Sequence, residues 1–184
     1  MTRHMTSDLN EVRNDTGRTV FCGPTVLSAI TGFSVSRIEA EIIKGRGGVS
    51  CRSGASPDAT VGGGNVPVRE ECNGLPPVVK GTYSHEVADT LAAFGYRMDL
   101  KSRFDHLPRK ERPTVWGWMQ LPRNAWTYYI LAVHKNREGH WILIKGVKLC
   151  DTYTDGKWTF VCDGPHRGAR ISEVYEVRQA QKQI

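Results

Sequence analysis

The chain has 184 residues, of which 39% are hydrophobic and 24% are charged. This balance excludes wholesale disorder, and the length fits one folded unit, so we expect a single domain over residues 1–184. The formal net charge of +6 and the pI of about 9.2 admit an anionic partner, including nucleic acid.

The start of the chain and its cysteines indicate a compartment. The N-terminus is polar, and no stretch approaches the roughly 18 apolar residues of a membrane helix. The five cysteines form no C-x-x-C pair, so we expect reduced thiols, no metal site and no cofactor. We therefore predict a cytoplasmic protein without membrane contact; for a viral protein this means the host cytoplasm or the virion.

Two helices are predicted first. Residues 22–31 have the pattern of a short buried helix, for which Gly32 is a natural stop. Residues 36–44 carry isoleucines at helical spacing, and Ser36 with Glu39 has the spacing of a capping box. Both predicted helices precede every predicted strand.

The middle of the chain is rich in glycine, and its end is rich in strands. Residues 45–77 hold eight glycines and predict a long loop that is either substrate-facing or mobile. A third helix is predicted over 85–94, capped by Ser84 and ended by Gly95. Strands are predicted over 96–100, 114–119, 127–133, 141–144, 147–151, 158–162 and 171–177. Helices followed by strands, without regular alternation, indicate an α+β fold with an antiparallel sheet.

A basic stretch at residues 101–112 is the densest run of positive charge. It contains a single aromatic residue, Phe104, and is diluted by Asp105 and Glu111. The pattern favours a solvated loop between two strands over a nucleic-acid contact.

Cys22 stands at the start of the first predicted helix. The unpaired N–H groups and the positive end of the helix dipole favour a thiolate over a thiol, and the thiolate is the reactive form. Gly23 allows a sharp turn and a close approach of substrate. This setting predicts a nucleophile.

His140 opens an apolar strand and is the predicted base. A tight turn centred between Lys145 and Gly146 would place position 140 opposite Asp151 on the next strand. A carboxylate beside an imidazole fixes its tautomer and stabilises the imidazolium formed when Cys22 loses its proton. The chain thus supplies Cys22, His140 and Asp151 as nucleophile, base and orienter.

Rival residues exist for two of these roles. His134 is an alternative base within a polar stretch. Asp163 is the alternative orienter if the hairpin is longer, and Asp155 is a further carboxylate in the same region. The spacing favours His140 and Asp151.

The segment Cys22-Gly23-Pro24, followed by small and aliphatic residues up to Gly32, resembles the nucleophile helix of papain-like cysteine peptidases. It looks closest to the bacteriocin-leader-processing group, peptidase family C39, and to related small phage-encoded proteins. His140 before an aliphatic strand, followed by Asp151, resembles the second half of that pattern.

The resemblance implies a papain-like fold, with N-terminal helices packed on a C-terminal antiparallel sheet. It also implies cleavage of an amide bond in a peptide or protein through a Cys thioester. The family usually takes one oxyanion donor from a Gln about six residues before the Cys, but this chain has no Gln before position 120. Asn14 is the candidate replacement, and Asn10 lies further away.

Three functions follow, in decreasing order of preference. The first is a cysteine peptidase or isopeptidase that uses the three residues above. The second is a papain-like binding or assembly module with weak or no catalysis, motivated by the missing Gln. The third is a basic nucleic-acid-binding protein that uses residues 101–112.

Overall fold

A computed structural model describes the chain over residues 9–47, 78–135 and 138–180. The helices are α1 (Cys22–Thr31), α2 (Val35–Gly45), α3 (Ser84–Ala93) and α4 (Val115–Met119). The strands are β1 (Tyr96–Arg103), β2 (Tyr128–Lys135), β3 (Glu138–Lys145), β4 (Lys148–Cys150), β5 (Thr159–Phe160) and β6 (Arg170–Gln179). Most of the predicted glycine-rich loop lies outside the described residues.

The six strands form one antiparallel sheet in the order β1-β6-β2-β3-β4-β5. Successive side chains of a strand point to opposite faces, and both faces of this sheet are covered. Ile130 and Leu143 pack against α1, α2 and α3, whereas Leu131 and Ile142 pack against α4. The α+β class predicted from the sequence is confirmed.

Helix α1 has the predicted bounds, and α2 differs in how it begins. Helix α2 starts at Val35 after Ser34, which makes no side-chain cap, so the predicted capping box is wrong. The Ser36 N–H and hydroxyl instead donate to the Asp15 carboxylate, at 3.0 and 2.5 Å. Glu39 pairs with Arg18 and is therefore not available to the helix start.

The predicted strand at 114–119 is wrong, because these residues form helix α4. Thr114 Oγ1 accepts a hydrogen bond from the Gly117 N–H at 3.0 Å and caps the helix. Trp118 and Met119 are buried against the sheet. The β-branched and aromatic residues of this segment matched a strand, but the Thr cap and the packing of this face decided the local structure.

The β3–β4 hairpin forms with a register two residues away from the predicted one. Ile144 pairs with Leu149 and Lys145 with Lys148, so Gly146 and Val147 are the central turn residues. Gly146 has φ of 61°, which the first central residue of a tight hairpin turn requires and which glycine adopts without strain. A shift of two preserves the face to which each side chain points. His140 and Asp151 are therefore still able to meet, diagonally rather than directly opposite.

Candidate active site

Cys22 is the first residue of α1, and nothing caps the helix there. Phe21 precedes it in extended conformation and makes no side-chain cap hydrogen bond. The first N–H groups of a helix have no partner within it, so those of Cys22 and Gly23 are free to face a ligand. The Cys22 thiol is reduced and half-buried. An electron-rich group at this position is stabilised by the helix dipole.

The His140 ring lies between Cys22 and Asp151. Its Nε2 is 2.9 Å from Asp151 Oδ2, and the ring makes a second hydrogen bond with the Cys22 side chain. Because Nε2 faces the carboxylate, Nδ1 is the nitrogen available to Cys22. The structure thus brings together the three residues that the sequence predicted as a unit.

The pKa of His140 is raised to about 9. Burial alone would lower the pKa, because it disfavours the charged ring, but the hydrogen bonds and charges of Asp151 and Cys22 outweigh it. The protonated imidazolium is accordingly the favoured form of His140 at neutral pH.

Asp151 is fully buried and ionised. Its Oδ1 accepts the Thr154 N–H at 3.0 Å, and the Asp151 N–H donates to Thr154 Oγ1 at 3.1 Å. Burial raises the pKa of this carboxyl, but the His140 hydrogen bond and the close contact and charge of His166 outweigh burial and lower the pKa to about 2. The strand pairing ends at Cys150, so Asp151 begins the short turn that Thr154 holds.

His166 is a member of this cluster that the sequence analysis did not find. Its side chain is 1% exposed, and its Nε2 lies 2.7 Å from Asp151 Oδ2 in an oblique contact, with the ring N–H not aligned to the oxygen. The rings of His140 and His166 are 4.8 Å apart. His166 stands among the turn residues Gly164, Pro165 and Gly168, and this local sequence gives no signal of a contact with Asp151.

Tyr153 covers both imidazoles with an edge-on ring. Its centroid is 5.1 Å from that of His140 and 4.8 Å from that of His166. Edge-to-face contacts at these separations are favourable for aromatic rings. Tyr153 is itself exposed, so it separates the two histidines from solvent on one side.

Asn14 is engaged in a turn of its own. Its Nδ2 donates to the Arg18 carbonyl at 2.9 Å, and its Oδ1 accepts from the Thr16 N–H at 3.1 Å. Asn10 likewise donates its amide to the Ile30 carbonyl at 3.1 Å. Among the hydrogen bonds of the described residues, none joins either amide to Cys22, His140 or Asp151. Neither asparagine stands as a ready oxyanion donor.

A cavity of about 510 Å³ lies beside these residues. Its walls are the segment 12–20 before Cys22 and the turn after Asp151, and its lining includes Asn14, Arg18, Thr25, Thr152 and Asp155. Thr25 of α1 and Thr152, next to Asp151, belong to this lining, whereas Cys22, His140 and Asp151 do not.

The rival residues lie elsewhere. His134 is in β2, opposite Gly139, and Asp163 is exposed in the turn after β5. Asp155 is exposed and ends the turn that Asp151 begins. No hydrogen bond within the described part of the chain joins any of the three to His140 or Cys22.

The basic stretch at 101–112 is not a row of free charges. Lys101 pairs with the buried Glu176 at 2.6 Å, and Arg103 pairs with Glu173 at 3.0 Å. The Arg112 guanidinium donates to the carbonyls of Asp105 and Leu107, at 2.8 and 3.0 Å. Lys101 and Arg103 belong to β1, so the predicted loop begins only after them.

His140, Asp151 and His166 also offer the side-chain types that bind transition metals, with ligand atoms within 4.8 Å of one another. Their N–O separations of 2.7 and 2.9 Å are hydrogen-bond and ion-pair lengths. Tetrahedral zinc with bonds of 2.0–2.1 Å would need edges of about 3.3 Å. The observed spacing therefore fits direct contact between the side chains better than a shared ion.

No protein family matches this chain, and no curated protein matches it either. One solved structure is similar: the peptidase domain of Streptococcus ComA, a bifunctional ABC transporter involved in a quorum-sensing pathway. The identity is 12%, the match covers 94% of this chain and 98% of that one, and the TM-score is 0.48. With so low an identity and TM-score, no residue role carries over from that domain.

Over the described ranges, no helix is both long and apolar enough to cross a bilayer.

Proposed function

We propose that this protein is a papain-like cysteine hydrolase that cleaves an amide bond in a peptide or protein. Cys22 is the nucleophile, His140 the general base and acid, and Asp151 the residue that orients His140. The observation that carries the proposal is the position of the His140 ring, hydrogen-bonded to Cys22 on one side and to a buried Asp151 on the other.

The chemistry has two halves. Cys22 Sγ, as thiolate, attacks the carbonyl carbon, and the C–N bond breaks as His140 gives its proton to the leaving amine. The product of this half is a thioester on Cys22. Water then attacks the thioester while His140 takes its proton, and the acid leaves as the thiolate–imidazolium pair is restored. Asp151 stabilises the imidazolium whenever it is present.

The oxyanion that forms in each half needs donors. The Cys22 backbone N–H, which no cap uses, supplies one of them. Asn14 remains the proposed second donor, but it would have to exchange its hydrogen bond to the Arg18 carbonyl for the oxyanion. Losing one such donor typically costs about two to three orders of magnitude in rate.

Labelling with a peptidyl vinyl sulfone, a probe that requires both a thiolate and proton donation, tests the proposal. Wild type should be labelled at Cys22, identified by mass spectrometry. Cys22→Ala should abolish the labelling, and His140→Asn should slow it by roughly a hundredfold or more. Cys162→Ala is the matched control, because Cys162 is an exposed thiol outside the site.

Equal labelling of wild type and Cys22→Ala would refute the hydrolase. The engaged amide of Asn14 favours one alternative, a binding module in which the cluster persists without turnover. That module would react with iodoacetamide at Cys22, remain unlabelled by the vinyl sulfone and cleave no peptide of a proteome-derived peptide library.

A further inference from the structure

Asp151 Oδ2 is shared by two imidazoles. His140 Nε2 approaches it at 2.9 Å and His166 Nε2 at 2.7 Å, while Oδ1 is taken by the Thr154 N–H. The carboxylate is fully buried, so no water replaces either ring. A nucleophile, a base and an orienter need only the first of these two contacts, and the second has no role in the mechanism above.

His166 is held in place by helix α4. The Val115 and Trp116 N–H groups at the start of α4 donate to the carbonyls of Ala169 and Arg167, at 2.9 and 3.0 Å. The Ala169 N–H in turn donates to the His166 carbonyl at 2.9 Å. The short helix thus fixes the backbone of the turn that carries His166, whose side chain is 1% exposed.

We propose that His166 is a positioning residue of this site, which shares the Asp151 carboxylate with His140 and so limits how firmly His140 holds its proton. The inference rests on the proposed function and deepens it. His166 touches no reacting atom, and its effect passes entirely through Asp151.

The charge of Asp151 is what makes the sharing consequential. Cys22, Asp151, His166 and Tyr153 are the titratable side chains that face His140 among the described residues. A proton on His166 Nε2, in the neutral or the charged ring, draws negative charge on Asp151 Oδ2 away from His140. If His166 is protonated on both ring nitrogens, its positive charge also repels the imidazolium of His140, whose ring is 4.8 Å away.

A limit on the basicity of His140 serves the reaction. His140 must hold a proton while Cys22 is a thiolate, and it must give that proton to the leaving amine. Proton transfer is most efficient when the pKa of the acid lies near the working pH. Asp151 and Cys22 both raise the pKa of His140 above neutral pH. His166 contacts Asp151 and counteracts this increase.

Removing the ring separates this role from a packing role. His166→Leu fills much of the space without a donor, and His166→Gln keeps a neutral N–H near the position of Nε2. We expect the midpoint of the His140 titration, followed by the NMR signal of its ring C–H, to rise by about half a pH unit or more in His166→Leu. Peptide turnover at neutral pH should fall roughly three- to tenfold. His166→Gln should restore both, and His106→Leu, at an exposed histidine, should change neither.

Several results would overturn the proposal. One is a His140 midpoint that is unchanged or lower in His166→Leu; another is an equal loss of turnover in the Leu and Gln variants, which marks packing alone. Zinc that co-purifies with wild type and is lost in His166→Leu would make His166 a metal ligand instead. Should the Leu variant fail to fold, His166→Met provides an unbranched apolar side chain of similar volume. If wild type shows no Cys22-dependent cleavage, the proposed function fails, while the His140 midpoint still decides this inference.

Discussion

At the scale of single residues, Asp151 sets the electrostatics of the site. A buried carboxylate without partners would be neutral, since burial disfavours its charge. Asp151 instead contacts two imidazoles, which outweigh burial and hold its pKa at about 2. In return it raises the pKa of His140 against the effect of burial. Each charged group is therefore stable only because the other is present.

This mutual dependence predicts a window of pH in which Asp151 stabilises the fold. The His140 pKa is raised from 6.5 to about 9, so its contribution is complete below 6.5 and is lost as pH rises through 9. The Asp151 pKa is lowered from 3.8 to about 2, so its contribution is present above 3.8 and is lost as pH falls through 2. The unfolding temperature of wild type should therefore exceed that of Asp151→Asn by the largest amount between pH 3.8 and 6.5.

The difference within that window should be on the order of 3 kcal/mol, or roughly 5–10 °C for a chain of this size. Thermal unfolding followed by circular dichroism at a series of pH values measures it. Asp163→Asn, at an exposed carboxylate, is the matched control and should follow wild type at every pH. A difference that stays constant from pH 3.8 to 10 would contradict the coupling of Asp151 to His140.

The sequence predicted this cluster in part. Cys22 was found from its place at a helix start, and His140 with Asp151 from their separation across a short turn. Both signals are local in sequence: one lies at the start of a single helix, and the other lies across a single hairpin turn. His166 is separated from Asp151 by β5 and its flanking turns, and its position depends on α4, which the sequence pattern placed in a strand. A contact made by packing leaves no trace in local spacing.

At the scale of elements, Thr82 joins the helix of the nucleophile to the strand of the base. Its carbonyl accepts the Trp141 Nε1–H at 3.1 Å, next to His140 in β3. Its side chain lies directly against Gly23 in the first turn of α1, and a Cβ built at Gly23 would be 2.1 Å from Thr82 Oγ1. Helix α1 and strand β3 thus both contact Thr82, and the approach on the α1 side is one that only glycine permits.

Gly23→Ala should therefore push α1 away from this segment and misplace Cys22. We expect vinyl sulfone labelling of Cys22 to slow by roughly a hundredfold, because a misplacement of about 1 Å costs that much. The free energy of unfolding should fall by about 1–3 kcal/mol from the overpacking. Labelling rates and urea denaturation measure the two effects.

A second substitution at Thr82 checks the cause. Thr82→Gly removes all three atoms that lie within 3 Å of the added Cβ, so it should restore most of the labelling in the Gly23→Ala background. Gly81→Ala is the control for backbone effects in this segment, since a Cβ there meets nothing within 4 Å. If the losses in labelling rate of the two single variants simply add in the double variant, the effect of Gly23→Ala does not come from a clash with Thr82.

The elements themselves were predicted unevenly, for a physical reason. In helix α1 and the long strands, the sequence pattern extends over eight or more residues, and most of the apolar residues of that pattern are buried. The segment 114–119 is short, and such a short apolar run fits a strand or a helix equally well. The choice was made by the Thr114 cap and by the hydrogen bonds from α4 to residues 167 and 169, which are distant in sequence.

At the scale of the whole molecule, the α+β class follows from the order of the patterns, with helices before strands. The strand order does not follow, because β6, the last strand in sequence, lies between β1 and β2 and not at an edge of the sheet. Long-range pairing of this kind depends on which apolar faces fit together. The position of the N-terminal segment was likewise not predicted, although it lines a cavity together with Thr25 of α1 and Thr152.

One buried carboxylate ties that segment to the helical layer. Glu39 of α2 is 3% exposed and pairs with Arg18 of the N-terminal segment, and its other oxygen lies 3.5 Å from the Val79 N–H. Burial raises the pKa of Glu39 even with Arg18 present. Three stretches that are separate in sequence thus meet at the buried Glu39 carboxylate, whose negative charge is compensated by Arg18.

Arg18→Leu should leave Glu39 buried without that cation, which typically costs about 3 kcal/mol in the free energy of unfolding. Since the pKa of Glu39 is already raised, lowering the pH from 7 to 5 should neutralise it in the variant and recover much of the loss. Urea denaturation of both proteins at the two pH values measures this, and Arg13→Leu, an exposed arginine of the same segment, is the control. A loss that is equal at pH 7 and pH 5 would show that Arg18 acts through its packing and not through its charge on Glu39.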